Sequence, residues 1–286
     1  MNREAQMPHS ATAQREPLLF AHANGFPGHS YRSFLAPLEA SFAVHPVEKL
    51  GHHQDFPVGH NWLALRDELL THLKDIEAPV IGVGHSMGGV LMGMAAVAAP
   101  EHFRCVVMLD PPLMLGLDAL AMRLAKTIGL ADRVTPAGRS KGRRAQWPSR
   151  EAMRDYLKSR GLFRRFTDQA LDDYLEAGST RLDSGERVLS YDPEIEVEIF
   201  RHLPHHLDDL PSRIGVPLGL LAGSDSELLT PRRCRKIIAS GVRLEKVPGG
   251  HMFPMEYPDE ARRALVEMIG SLTGASPLAA SSDVSS

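Results

Sequence analysis

The chain has 286 residues, 43% of them hydrophobic and 23% charged, with a formal net charge of −3 at pH 7. That length holds one large domain or two small ones around a substantial core, and the near-neutral charge leaves no footprint for a nucleic-acid partner. Cys105 and Cys234 are the only cysteines, too few for a disulfide framework.

The first ten residues, M-N-R-E-A-Q-M-P-H-S, have no apolar core of signal-peptide type. No later run approaches the roughly 20 apolar residues of a membrane span. The expectation is a cytoplasmic protein with no membrane span. From residue 17 short apolar runs alternate with amphipathic segments, the pattern of a parallel sheet covered by helices. The runs are P-L-L-F-A-H (17–22), F-A-V-H-P-V (42–47), P-V-I-G-V-G (79–84), C-V-V-M-L (105–109), V-P-L-G-L-L-A (216–222) and V-R-L-E-K-V (242–247). Helices are expected between them. In 62–73 the residues Leu65, Leu69, Leu70 and Leu73 share a face. Segment 87–99 is apolar on nearly every side, and 232–240 and 258–269 cover the last strands.

Between Leu109 and Val216 more than a hundred residues pass without a strand signal, far beyond an ordinary βα connection. Helical patterns at 113–124, 149–159, 167–177 and 194–203 make this a helical cap inserted into an α/β core. The cap is electrically lopsided. Residues 121–165 hold thirteen Arg or Lys against three Asp or Glu, whereas 168–210 hold twelve acids against three Arg. One reading is solvated helices whose opposite charges face each other. The other is a basic rim that holds an anionic substrate.

Within this frame G-H-S-M-G (84–88) fits G-x-S-x-G, with Ser86 at its centre after an apolar strand and before an apolar helix. Small flanking residues allow a sharp turn that lifts the hydroxyl clear of the backbone, and the helix N-terminus favours developing negative charge beside it. A serine hydroxyl needs a base. His251, in V-P-G-G-H-M-F, follows the last strand on a loop that Gly249 and Gly250 let bend. The other histidines fall in two groups, His52, His53 and His60, and His202, His205 and His206. Neither brings matching carboxylates or cysteines, so no metal or cofactor is expected.

H-A-N-G-F-P-G (22–28), G-H-S-M-G-G (84–89) and P-G-G-H (248–251) stand in the order of the α/β-hydrolase fold family, and over roughly 17–270 the chain resembles its serine-hydrolase, esterase-like branch with a helical cap. The resemblance implies a hydrolase core at 17–112 and 213–270 and a cap at 113–212. Outside these lie an N-terminal extension at 1–16 and a flexible tail at 271–286. Because little chain precedes the strand at 17–22, a trimmed, mostly parallel sheet of about six strands is expected, with eight as the alternative.

The same resemblance implies an oxyanion hole from backbone amides. Met87 matches one donor and Phe26 the other, with Asn24 or Gly25 as alternatives, since A-N lengthens the usual H-G-x-P. His22 is a candidate for orienting that loop or touching substrate. For the acid partner of His251, the family's late aspartate position holds Ser226, with Asp225 and Glu227 one residue to either side. Asp110, ending C-V-V-M-L-D, belongs to the strand after the Ser86 helix, and adjacent parallel strands bring it to the same rim. Asp110 is favoured, with Asp225 and Glu227 kept as alternatives. The implied reaction is ester hydrolysis through an acyl-enzyme on a small-molecule acyl substrate, an anionic one included. Alternatives are a thioester, amide or C–C bond hydrolase with the same residues, or a catalytically silent interaction or receptor protein of this fold.

Overall fold

A computed structural model describes residues 15–274. Six strands, β1 (Glu16–Ala21), β2 (Phe42–Pro46), β3 (Val80–His85), β4 (Phe103–Leu109), β8 (Leu218–Gly223) and β9 (Arg243–Val247), form one sheet in the order β2-β1-β3-β4-β8-β9. Every pairing is parallel. The sheet has the expected six strands. The central strand β3 is buried along its whole length, which explains its continuous apolar sequence. Chain direction across the sheet reverses between β1 and β3, and the crevice at the carboxyl ends of such strands is where open α/β sheets hold ligands.

The helices in chain order are α1 (Arg32–Leu35), α2 (Leu63–Thr71), α3 (Met87–Ala98), α4 (Leu117–Thr127), α5 (Ala131–Val134), α6 (Ala137–Ser140), α7 (Arg150–Lys158), α8 (Asp168–Ala177), α9 (Pro193–Arg201), α10 (Leu210–Arg213), α11 (Pro231–Ala239), α12 (Phe253–Glu256) and α13 (Pro258–Thr273). Leu65, Leu69, Val90, Leu91 and Ile237 of α2, α3 and α11 pack on one face of the sheet. Phe34, Leu265 and Met268 of α1 and α13 pack on the other. Each fully buried Leu or Val contributes about 1.5–3 kcal/mol, so these layers fix the sheet before any site is built on it.

Elements α4 to α10 lie between β4 and β8, as the cap reading anticipates. Three details differ from the sequence-based expectation. The inserted region also carries a small antiparallel sheet, β5 (Gln146–Trp147), β6 (Ser179–Arg181) and β7 (Arg187–Leu189), in the order β5-β7-β6. Strands of two or three residues are too short to show a periodicity. Helix α4 starts at Leu117 instead of residue 113, because Gly116 takes φ +63°, a left-handed conformation that interrupts a helix. Residues 271–273, expected in the tail, continue α13. The rest of the expected tail, 275–286, and residues 1–14 of the expected extension lie outside the described residues.

Among the described residues no helix is long and apolar enough to cross a membrane.

Candidate active site

Ser86 sits between β3 and α3 with φ 53° and ψ −116°, a conformation that a residue with a side chain adopts only when its surroundings force it. The constraint is steric. A Cβ on Gly84 would overlap the carbonyl of Gly88, and a Cβ on Gly88 would overlap the carbonyl of Ala21. Glycine at both positions lets strand and helix meet this closely. Ser86 N–H donates to Leu109 O at 2.8 Å and Gly88 N–H to His22 O at 3.1 Å, tying the turn to both neighbouring strand ends.

His251 lies on the loop after β9. Its Nε2 is 3.0 Å from Ser86 Oγ, and its Nδ1 is 2.7 Å from Asp110 Oδ2. The His251 side chain is 29% exposed while that of Asp110 is fully buried, so the imidazole forms the boundary between solvent and a dry carboxylate. Nδ1–H donates to Asp110, which leaves Nε2 free to accept from the serine hydroxyl.

Asp110 also takes a positive φ, 44°. Its carboxylate accepts the Ser226 hydroxyl at 2.5 Å on Oδ2 and the Gly223 N–H at 3.3 Å on Oδ1. The alternative acids lie elsewhere. Asp225 is exposed and pairs with Arg165 at 2.7 Å, an interaction that holds its carboxyl below the usual range. Glu227 is exposed and makes no hydrogen bond to His251.

The loop after β1 departs from expectation at Phe26. Phe26 N–H donates to Ala23 O at 3.0 Å, closing a tight turn in which Gly25 has φ +80°. An N–H has one hydrogen, so Phe26 cannot serve as the expected oxyanion donor. Among the described residues the Asn24 amide has no such acceptor, and Asn24 lines the cavity beside Ser86 and Met87. Gly25 does not line it, and a Cβ there would press on the Glu196 carboxylate. Met87 is the first residue of α3, where a backbone N–H has no partner within the helix.

His22 anchors the same loop. It is wholly buried, with Nδ1–H donating to Ala23 O at 2.8 Å and Nε2 accepting from Leu50 N–H at 2.8 Å. Burial lowers its pKa to about 4 and keeps it neutral. Both nitrogens are committed to the backbone, which fits the loop-orienting alternative for His22: it fastens the loop that carries Asn24.

A buried chain that no sequence motif announces runs behind Ser86. Ala23 N–H donates to Tyr31 Oη at 3.3 Å, Tyr31 O–H donates to His85 Nδ1 at 2.7 Å, and His85 Nε2–H donates to the carbonyl of His251 at 2.8 Å. Burial holds His85 well below its ordinary pKa. It therefore stays neutral 5.0 Å from the His251 ring and sets no second cation against an imidazolium there.

These groups open into a cavity of about 1210 Å³ roofed by the inserted region, with Met114, Met122, Leu162, Phe163 and Phe200 among its apolar lining. Arg143 pairs with Glu196 and donates to Tyr174 Oη at 3.3 Å, while Asn24 Nδ2 donates to Glu196 O at 2.9 Å. Helix α9 is thereby docked on the Asn24 turn. The two histidine groups that the sequence separates meet in space, His60 standing 5.4 Å from His205 beside Lys126 in a second cavity of about 1050 Å³. Among the described residues no cluster of three or more His, Cys, Asp or Glu is arranged to hold a metal ion.

A family model described as the alpha/beta hydrolase family matches residues 18–264. The abhydrolase domain-containing protein AFT2-1 of Alternaria alternata is 34% identical over 236 residues, covering 68% of this chain and 84% of that one. Among solved structures, E-2-(acetamidomethylene)succinate hydrolase is similar with a TM-score of 0.70 and 21% identity, over 90% of this chain and 92% of that one. A peroxisomal alpha-beta-hydrolase of Saccharomyces cerevisiae is similar with a TM-score of 0.70 and 17% identity, over 98% and 83%. At these identities the solved structures speak for the fold.

Proposed function

The chain belongs to the alpha/beta hydrolase family, and from that premise we propose that it is a serine hydrolase cleaving a small carboxylic ester through Ser86, His251 and Asp110. The observation that carries this reading is the hydrogen-bonded line from Ser86 Oγ through the His251 ring to the buried Asp110. In this reading residues 113–212 act as the cap over a core formed by 17–112 and 213–270.

Ser86 Oγ attacks the ester carbonyl while His251 Nε2 takes its proton. Asp110 stabilises the resulting imidazolium and fixes the tautomer that receives the proton. The oxyanion accepts hydrogen bonds from the Met87 and Asn24 amides, which line the cavity and have no backbone acceptor among the described residues, and the α3 N-terminus adds its dipole. His251 returns the proton to the leaving alcohol. It then takes a proton from the water that attacks the acyl group, and passes it to Ser86 Oγ as the bond to the acyl carbon breaks and the acid leaves. The similarity to a thioesterase domain from the curacin biosynthetic pathway is one of fold, with a TM-score of 0.67 at 17% identity, and the proposed residues would serve a thioester by the same steps.

Labelling with a fluorophosphonate, together with a panel of esters and thioesters varied in acyl length and charge, tests the proposal. Wild-type protein is expected to label and to hydrolyse at least one ester, and Ser86→Ala to do neither. A folded wild-type protein that stays unlabelled and hydrolyses nothing in the panel would overturn the reading in favour of a silent binding protein.

A further inference from the structure

The charged groups of the large cavity do not cancel. Asp118 pairs with Arg233 at 2.7 Å, Glu196 with Arg143, and Asp225 with Arg165 at 2.7 Å. Glu227 is the one further acid on the wall. Against it stand Arg139, Arg144 and Arg160, which line the same cavity and make no ion pair among the described residues. The surplus is positive and lies along a concave wall, with the three arginines themselves exposed.

Two of these arginines are also held in place. The Arg144 guanidinium lies 5.7 Å from the Trp147 ring centroid and 5.4 Å from that of Tyr156, and Arg160 stands 4.3 Å from the same Tyr156 ring. Arg144 Nε–H further donates to Gln146 O at 2.8 Å. Trp147 is buried and sits in β5, which pairs with β7, so the aromatic support belongs to the rigid part of the inserted region. Two like charges brought to one aromatic ring repel each other. A guanidinium already stacked loses little freedom when it binds, and its remaining N–H donors match a carboxylate or phosphate.

We propose that Arg139, Arg144 and Arg160 form an anion-binding subsite, so that the preferred substrate is an acyl compound carrying a carboxylate or phosphate group remote from the bond that is cut. This deepens the serine-hydrolase reading and rests on it for the position of the scissile bond. The apolar residues that line the same cavity suit a carbon chain, and the subsite selects for the far anionic group.

The experiment compares three sets of 4-nitrophenyl esters of matched chain length: unbranched alkanoates, ω-carboxyalkanoates and ω-phosphonooxyalkanoates. Wild-type protein is expected to favour one or both anionic sets by tenfold or more in kcat/KM, and the stronger set identifies the anion. Arg139→Gln and the double variant Arg144→Gln/Arg160→Gln should erase that preference through KM while leaving the neutral esters within about twofold. Arg263→Gln, which removes an exposed charge outside the cavity, should change nothing. The subsite is refuted if neutral esters match the anionic ones in wild type, or if the cavity variants lower all three sets in the same proportion.

If no ester of any set is cleaved, it is the hydrolase reading that fails. Calorimetric titration of pimelate, 6-phosphonooxyhexanoate and heptanoate then decides the subsite separately. Tighter binding of pimelate or 6-phosphonooxyhexanoate than of heptanoate, lost in the Arg144→Gln/Arg160→Gln variant, supports it. Equal binding of all three, or no binding of any, overturns it.

Discussion

Ser226 Oγ lies 2.5 Å from Asp110 Oδ2, so a hydroxyl on the loop after β8 meets a carboxylate delivered by β4. The position at which the family resemblance leads one to look for an acid instead supplies a donor to an acid on the neighbouring strand. With Gly223 N–H and His251, this surrounds a fully buried carboxylate with three hydrogen-bond donors, which is what a charge out of contact with water requires.

Asp110→Asn is expected to lower kcat by about 10⁴-fold, the scale for removing such a charge from a serine triad. Asp225→Asn and Glu227→Gln should stay near wild type. Ser226→Ala, which removes one donor and keeps the carboxylate, should cost roughly 10- to 100-fold, in line with about 1.5–3 kcal/mol for a hydrogen bond to a charged group. Kinetics on one responsive ester, with circular dichroism to check folding, separates the four. A near-native kcat in Asp110→Asn would transfer the role of the acid elsewhere.

Gly25→Ala tests the amide donor on the β1 loop. Gly25 has φ +80°, and an added Cβ would stand 2.9 Å from Glu196 Oε2, so the Ala23–Phe26 turn must distort and move the Asn24 N–H. Loss of one oxyanion donor costs about 10²–10³-fold in kcat. The expected signature is that loss with KM little changed, and an equal rise in KM would point to a substrate-binding role instead.

Tyr31→Phe leaves His85 Nδ1 buried without its donor at 2.7 Å. Thermal or urea unfolding should show a loss of about 1–3 kcal/mol. Because His85 also holds the carbonyl of His251, kcat should fall more than KM rises. Unfolding data that change while kcat does not would make this chain purely structural.

Acid should destabilise the protein through its buried histidines. His22 has a folded-state pKa of about 4 against 6.5 when unfolded, chiefly because burial disfavours the charged form. The unfolded chain therefore binds the extra proton, and the stability from neutral His22 is present above pH 6.5 and lost as pH falls toward 4. Between pH 7.5 and 4.5 that loss is roughly 2–3 kcal/mol, and His85 acts in the same direction. Urea-unfolding free energies at the two pH values should show it, with a shallower dependence in His22→Gln.

Local sterics and strand order are legible along the chain. The Gly84–Gly88 spacing admits only a sharp turn at Ser86, the Gly249–Gly250 pair bends the loop that carries His251, and consecutive parallel strands put Asp110 on the same rim. Contacts between distant segments were decided by the tertiary structure. Phe26 loses its amide to a turn, His22 is consumed by Leu50, and Tyr31 reaches His85 across 54 residues. Arg143 is neutralised by Glu196, while its neighbour Arg144 is left to an aromatic ring. An N–H or a guanidinium is free or spent according to which acceptor the fold brings within 3 Å, and the spacing of residues along a chain carries no record of that.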